Sequence, residues 1–284
     1  AAPRAFGGLR TPALSLWLDV AADRAAAGLL DGAIQLWQFE DGQALVTCNA
    51  YFWETPHALM TWGHVAAVTA MVRAPSGVPG AAPGDAPAPS ASGSRGWPMP
   101  ELCLASADAS GVVCVWRENG HCVLCASPLW ELKYLGLPCG QVHCLAVMPE
   151  LLLCGFSGAV VAFKAGAAQG EVAFVLSSGL GPSGDPAPVS GLTVLPMCQA
   201  EGDAEREDRE HFRILAVTAH GSFLCWRLPQ VIAGRSISHT AKPARVLAAG
   251  VAAVSSSVVD ARSLTWTADA GGGEVTMRWL DLGA

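Results

Sequence analysis

The sequence predicts an all-β fold, a β-propeller built from four-stranded blades. Three observations predict it. A short hairpin recurs along the chain, its strands read as nearly continuous apolar runs, and successive copies are separated by about the length of one blade once insertions are set aside. The first copy runs Leu29-Leu30-Asp31-Gly32-Ala33-Ile34-Gln35-Leu36-Trp37. The second runs from Leu104 through Asp108-Ala109-Ser110-Gly111 to Trp116, and another from Ala216 through His220-Gly221 to Trp226. A degenerate copy runs from Leu153 through Ser157-Gly158 to Phe163. In all four a Gly stands five positions before the closing aromatic, where a tight hairpin needs a residue with positive φ. Strands covered on both faces by neighbouring blades have no polar face to show, hence the apolar runs.

Each repeat unfolds into about four strands. The first has Ala13–Val20, Arg24–Leu30, Ala33–Phe39 and Ala44–Cys48. The second opens at Val65–Arg73 and resumes at Leu102–Ser106, Gly111–Arg117 and His121–Ala126. The third reads Gln141–Met148, Leu151–Gly155, Ala159–Lys164 and Glu171–Leu176. The fourth has Gly191–Leu195, Phe212–Ala219, Ser222–Leu228 and Ala244–Leu247. A partial fifth pairs Ser263–Ala268 with Glu274–Leu282 across Gly271-Gly272-Gly273 and ends on Trp279. The intervals Trp37 to Trp116 and Phe163 to Trp226 exceed the 40–45 residues or so of a blade. Insertions account for both. Segment 75–96 is almost wholly Ala, Pro, Gly and Ser, and is expected to stay disordered. Gly179–Pro188 and the acidic run 200–210 are expected to be surface loops between strands.

Composition narrows the function classes. Half of the 284 residues are apolar (51%) and only 14% are charged, enough to bury a core. The net charge is −7; the run with Glu201, Asp203, Glu205, Glu207, Asp208 and Glu210 also holds Arg206 and Arg209 and so contributes −4, and no basic stripe is present to neutralise phosphates; nucleic acid is not an expected partner. The chain begins with Ala and reads as part of a longer protein, with no visible signal peptide. The most apolar stretch, Val142 to Phe163, is broken by Pro149-Glu150 into two strands and is not expected to span a membrane. Of the ten Cys, Cys103, Cys114, Cys154 and Cys225 fall inside strands, where a free thiol behaves as a small hydrophobe; a reducing compartment is expected. Cys122-x-x-Cys125 followed by Cys139, His143 and Cys144 is the one metal-like spacing. Its first pair lies on an expected outer strand without a Gly-turned knuckle, so these read as strand residues.

Gly63-His64, preceded by Trp62, opens the second repeat. The His is expected to reach inward and join a buried hydrogen-bonded set with Asp108, Ser110 and Trp116, a structural role. The other His residues show no convincing partners. With these markers on the page, the chain resembles the WD40 repeats. Asp31 to Trp37, Trp62-Gly63-His64-Val65-Ala66-Ala67-Val68-Thr69, Ala105 to Gly111, the third repeat with Phe163 in place of Trp, and Leu215-Ala216-Val217-Thr218 leading to Trp226 resemble the N-terminal propeller of the rabconnectin-3 beta family. The turn position six before the aromatic departs from the WD40 pattern. Only Asp31 matches it, and Ser110, Ser157, His220 and Gly273 stand there elsewhere.

The resemblance implies a cytoplasmic, non-catalytic scaffold, peripherally associated with vesicle or endosomal membranes through its partners. Those partners would be a rabconnectin-3 alpha-like subunit and the vacuolar proton-ATPase, whose assembly or activity it would support in vesicle acidification. It also implies a seven-bladed ring, of which about five blades are visible in 1–284, and no cofactor. A different WD40 adaptor, in trafficking, ciliary transport or ubiquitin ligation, is the alternative. An enzyme is not expected: the sequence offers no nucleophile–base constellation, no acidic pair on matched loops and no phosphate-cradling Gly loop. The expected repeat markers are Asp31, Trp37, Gly63, His64, Asp108, Ser110, Trp116, Phe163, Trp226 and Trp279, with no catalytic, cofactor-binding or metal residues.

Overall fold

The computed structural model describes residues 9–54, 59–74, 103–148, 151–164, 170–180, 184–196, 212–228, 240–241, 245–248, 254–259, 263–269 and 275–281. Segment 75–96, the acidic run 200–210, the turn at 271–273 and the side chain of Trp279 lie outside the described residues. The fold is nearly all-β. Its contacts divide it into two compact units, the first centred on 1–127 and the second on 128–284, with Pro149–Leu152 and Lys164–Glu171 grouping with the first.

The first unit holds two four-stranded antiparallel sheets and a hairpin. Strands β1 (Ala13–Asp19), β2 (Arg24–Leu29), β3 (Ile34–Gln38) and β4 (Ala44–Cys48) lie side by side in chain order. The hairpin pairs β5 (Tyr51–Glu54) with β6 (Leu59–Trp62), with Tyr51 opposite Trp62. The second sheet meanders through β7 (Val68–Arg73), β8 (Cys103–Asp108), β9 (Val113–Arg117) and β10 (Cys122–Ala126). The two sheets meet along β1 and β7, where Ser15 Oγ donates to the Val68 carbonyl at 2.8 Å. The approach is close: a Cβ on Gly28 would stand 2.5 Å from Val68 Cγ1. Ala26, Ile34, Leu36, Cys48, Val68, Leu104, Cys114, Trp116 and Cys122 form the core between them. Arg24 pairs with Glu118 at its edge.

The second unit opens with a short helix, α1 (Leu129–Tyr134), which buries only Leu132. Strands β11 (Cys144–Met148), β12 (Leu151–Gly155), β13 (Ala159–Lys164) and β14 (Val172–Ser177) follow as a meander. To its edge the two-residue β18 (Thr240–Ala241) adds in parallel, Val175 opposite Thr240. The next sheet is ordered β15 (Val189–Pro196), β16 (Phe212–Thr218), β17 (Ser222–Leu228), β19 (Arg245–Ala248). The last comprises β20 (Val254–Val259), β21 (Ser263–Asp269) and β22 (Val275–Asp281). Strand β12 is buried along its whole length and β13 for all but Lys164, as expected of strands covered on both faces. Among the described residues no helix is long and apolar enough to cross a membrane.

The repeated hairpin turn forms as its Gly predicts. Gly32, Gly111, Gly158 and Gly221 have φ of 87°, 89°, 86° and 78°. At three of them the Gly amide closes the turn, onto Leu29, Asp108 and Thr218 carbonyls at 3.2, 3.2 and 2.9 Å. This left-handed conformation costs a residue with a Cβ about 1–2 kcal/mol. The closing aromatics are buried: Trp37, Trp116, Phe163 and Trp226 are all at most 3% exposed. Four elements went unanticipated: the β5–β6 hairpin, α1, β18 and β20. The first three are short, and β20, with three consecutive Ser, lacks the apolar run by which its neighbours were recognised.

Candidate functional site

The densest polar constellation among the described residues is built in the second sheet. Period-two alternation on β8 sends Ser106 and Asp108 to one face, and the register sets Ser106 opposite Cys114 and Leu104 opposite Trp116 on β9. His64 enters this face from the segment between β6 and β7. Gly63 makes its entry possible. With φ of 118° it turns the chain where a Cβ would stand 2.8 Å from Ala50 Cα and 3.1 Å from the Trp116 ring. Trp62 anchors the approach through its indole N–H, which donates to the Cys122 carbonyl at 3.1 Å.

The polar atoms then join in one chain. Trp116 Nε1–H donates to Ser106 Oγ at 2.8 Å, Ser106 Oγ lies 2.7 Å from His64 Nε2, and His64 Nδ1 lies 3.1 Å from Asp108 Oδ2. Every donor meets an acceptor when Ser106 donates to Nε2 and Nδ1 carries the proton that faces the carboxylate. The other carboxylate oxygen, Oδ1, accepts the Ser110 and Val112 amides at 2.9 and 3.0 Å and the Ser110 hydroxyl at 2.8 Å. Asp108 is fully buried. Burial works against its charge, but the hydrogen bonds from His64, Ser110 and Val112 outweigh it and hold the carboxyl below its ordinary value.

The hydroxyl linking His64 to Trp116 therefore belongs to Ser106 and not, as expected, to Ser110. Ser110 is exposed and serves the turn. The signal for Ser106 was available: it stands two residues before Asp108 in an alternating strand, on the same face. The other repeats cannot copy the set. Ala27, Leu153 and Ala216 occupy the Ser106 position, and Leu29, Gly155 and Thr218 that of Asp108. Thr218 keeps only the turn function, its Oγ1 accepting the Ser222 amide at 3.1 Å. Asp31 likewise only caps its own exposed turn, through the Ala33 amide at 3.1 Å. In the second unit His143 does have a partner, Ser157 Oγ at 3.2 Å, and burial pushes its imidazole below the ordinary value.

Ser106, His64 and Asp108 share the connectivity of a nucleophile, base and orienting acid. Their burial removes that use. His64 is 2% exposed and Ser106 not at all, and the Ser106 oxygen already accepts the indole proton, so no substrate carbonyl can reach it. The arrangement can clamp strands β8 and β9 to the His64 segment; it cannot turn over a substrate. The metal-like spacing does not converge either: Cys122 and Cys125 point into the face between the first two sheets, Cys139 Sγ lies 3.3 Å from the Leu129 carbonyl, and Cys144 Sγ 3.2 Å from that of Val189. No three potential ligands among the described residues are placed to hold a metal.

A second feature lies on the outer face of β1. Ser15 and Trp17 turn toward the second sheet, while Leu14, Leu16, Leu18 and the following Val20 face away and are 51%, 79%, 53% and 67% exposed.

Comparison with solved structures bears on the fold. The β-propeller domain of Cps50 (Swd1) from Myceliophteria thermophila is similar at 12% identity and a TM-score of 0.55, over 92% of this chain and 64% of that one. This chain thus spans less than two thirds of that domain's length. The computationally designed Ika8 protein aligns at 14% identity and a TM-score of 0.45, over 96% of this chain and 72% of that one. No protein-family model and no curated protein matches the sequence. Repeated antiparallel sheets, the turn at each Gly and the likeness to Swd1 establish a β-propeller fold.

Proposed function

We propose that this chain is a non-catalytic scaffold that binds other proteins. The observation that carries the reading is the β-propeller fold, established by the repeated four-stranded sheets and the likeness to Swd1. The closed hydrogen-bond chain of His64, Asp108, Ser106 and Trp116 supports it from the other side, because its chemistry is spent on holding strands together. The repeat markers are structural on this reading, and 1–284 belongs to one propeller domain with 75–96 and 200–210 as loops between strands.

The finer proposal rests on the sequence resemblance alone. The chain is a rabconnectin-3 beta-like subunit that partners an alpha-like subunit and supports the vacuolar proton-ATPase, acting in the cytoplasm at vesicle or endosomal membranes. The test is affinity purification of the full-length protein with identification of the co-purifying chains. ATPase and alpha-like subunits should come down with the protein. Knock-out cells should show raised organelle pH. Other partners and normal acidification would replace the finer proposal by a different adaptor. Recovery of no partner at all would remove the scaffold reading.

A further inference from the structure

Four thiols gather in the first unit: Cys48 on β4, Cys114 on β9, and Cys122 and Cys125 on β10. The pairing of β9 with β10 puts Cys125 directly opposite Cys114 and Cys122 opposite Trp116, the register shifting by one residue between Cys122 and Leu124. That shift brings Cys122 and Cys125 to the same face, although three positions separate them. Directly paired residues of antiparallel strands have Cα atoms about 4.5–5.5 Å apart, inside the range of about 4.4–6.8 Å that a disulfide spans.

We propose that Cys125 and Cys114 form an oxidisable dithiol, with Cys125 the attacking and Cys114 the resolving thiol. Their surroundings differ in the way such a division needs. Cys125 is partly exposed; it lies directly across from Cys114, and the Gly63 amide donates to its sulfur at 3.4 Å. The neighbouring Cys114 thiol lowers the Cys125 pKa most, burial opposes it, and with the Gly63 amide the balance settles at about 7. That lowering favours the Cys125 thiolate, the reactive form. Cys114 is fully buried and burial raises its pKa well above the ordinary thiol value, so it stays protonated until a neighbouring sulfur becomes electrophilic.

The reaction with a hydroperoxide balances. The Cys125 thiolate attacks the terminal peroxide oxygen, the O–O bond breaks, and the alkoxide or hydroxide leaves and takes up a proton. Cys125 becomes a sulfenic acid. Cys114 then loses its proton and attacks the Cys125 sulfur; the S–S bond forms, the S–O bond breaks and water departs. Two thiols lose two electrons and the peroxide gains them. Because Cys114 Sγ lies 3.9 Å from His64 Nδ1, the new bond would form against the buried hydrogen-bond chain and report the redox state to it.

The experiment treats the reduced full chain with hydrogen peroxide at neutral pH, blocks the remaining thiols by alkylation and maps the products by mass spectrometry. The expected product is a peptide pair joined through Cys114 and Cys125, absent in Cys125→Ser. In Cys114→Ala, which also removes the neighbour that lowers the Cys125 pKa, Cys125 should oxidise more slowly but stop at a sulfenic acid trapped by dimedone. On unsubstituted protein, the rate of Cys125 alkylation should rise through a midpoint near pH 7. A bridge joining Cys114 to Cys122, modification of Cys139 with Cys125 spared, or an alkylation midpoint in the ordinary thiol range would overturn the proposal. The alkylation measurement needs no variant and decides the matter even if a substitution unfolds the chain.

Discussion

Ser106 is the residue on which the second sheet's polar chain turns. It accepts from Trp116 and meets His64, so Ser106→Ala leaves an indole N–H and an imidazole nitrogen buried without partners. Each orphaned group costs about 1–3 kcal/mol, and the variant should lose at least that much in denaturant titration. Ser110→Ala removes one hydroxyl bond at an exposed turn and should cost no more than about 1 kcal/mol. The order of these two variants is the check, since the opposite order would mean that the turn and not the bridge holds the set. Trp116→Ala should cost about 3–5 kcal/mol, whereas Trp130→Ala, 75% exposed, should stay within about 0.5 kcal/mol. Asp108 adds a pH dependence. Its carboxyl is held below the ordinary value, so its contribution is present above the unfolded carboxylate range and is lost as pH falls through the folded value. Unfolding midpoints should therefore drop below about pH 4, and less steeply in Asp108→Asn.

At the scale of the element, the hairpin turns separate two costs of adding a Cβ. Gly32 and Gly42 both have positive φ, 87° and 71°. Around Gly42 nothing lies within 4 Å, but a Cβ on Gly32 would stand 2.7 Å from the His64 carbonyl oxygen. Gly42→Ala should then cost only the conformational strain of about 1–2 kcal/mol. Gly32→Ala should cost visibly more, because backbone of the His64 segment must move. Thermal melts of the two variants measure the difference, and equal losses would mean that the His64 segment is not held against this turn. Most strand positions were legible because those strands announce themselves locally, by an apolar run bounded by turn residues. The β5–β6 hairpin was not, since Tyr51–Glu54 and Leu59–Trp62 are four residues each and carry no Gly turn between them.

For the whole molecule the structure predicts a strand-dominated circular dichroism spectrum with helix well under a quarter, since α1 holds six residues and is the one helix among the described residues. A typical mixed domain already reaches about 30% helix. The fold has consequences for where chemistry can occur. Sheets that bury both faces leave polar side chains inside only where they satisfy one another, as His64, Ser106, Asp108 and Trp116 do. Binding then falls to exposed strand edges and loops.

The sequence by itself determined the all-β class, the repeat and its closing aromatics. A turn that needs positive φ and a strand that needs alternation are written in contiguous residues. Tertiary structure alone decided two things: that the His64 segment reaches Ser106 and Asp108, and which thiols face one another. His64 and Ser106 are 42 positions apart, and Cys125 meets Cys114 only because the register slips by one residue beside it. Such pairings follow from how strands distant in sequence align, and local propensity holds no record of that alignment.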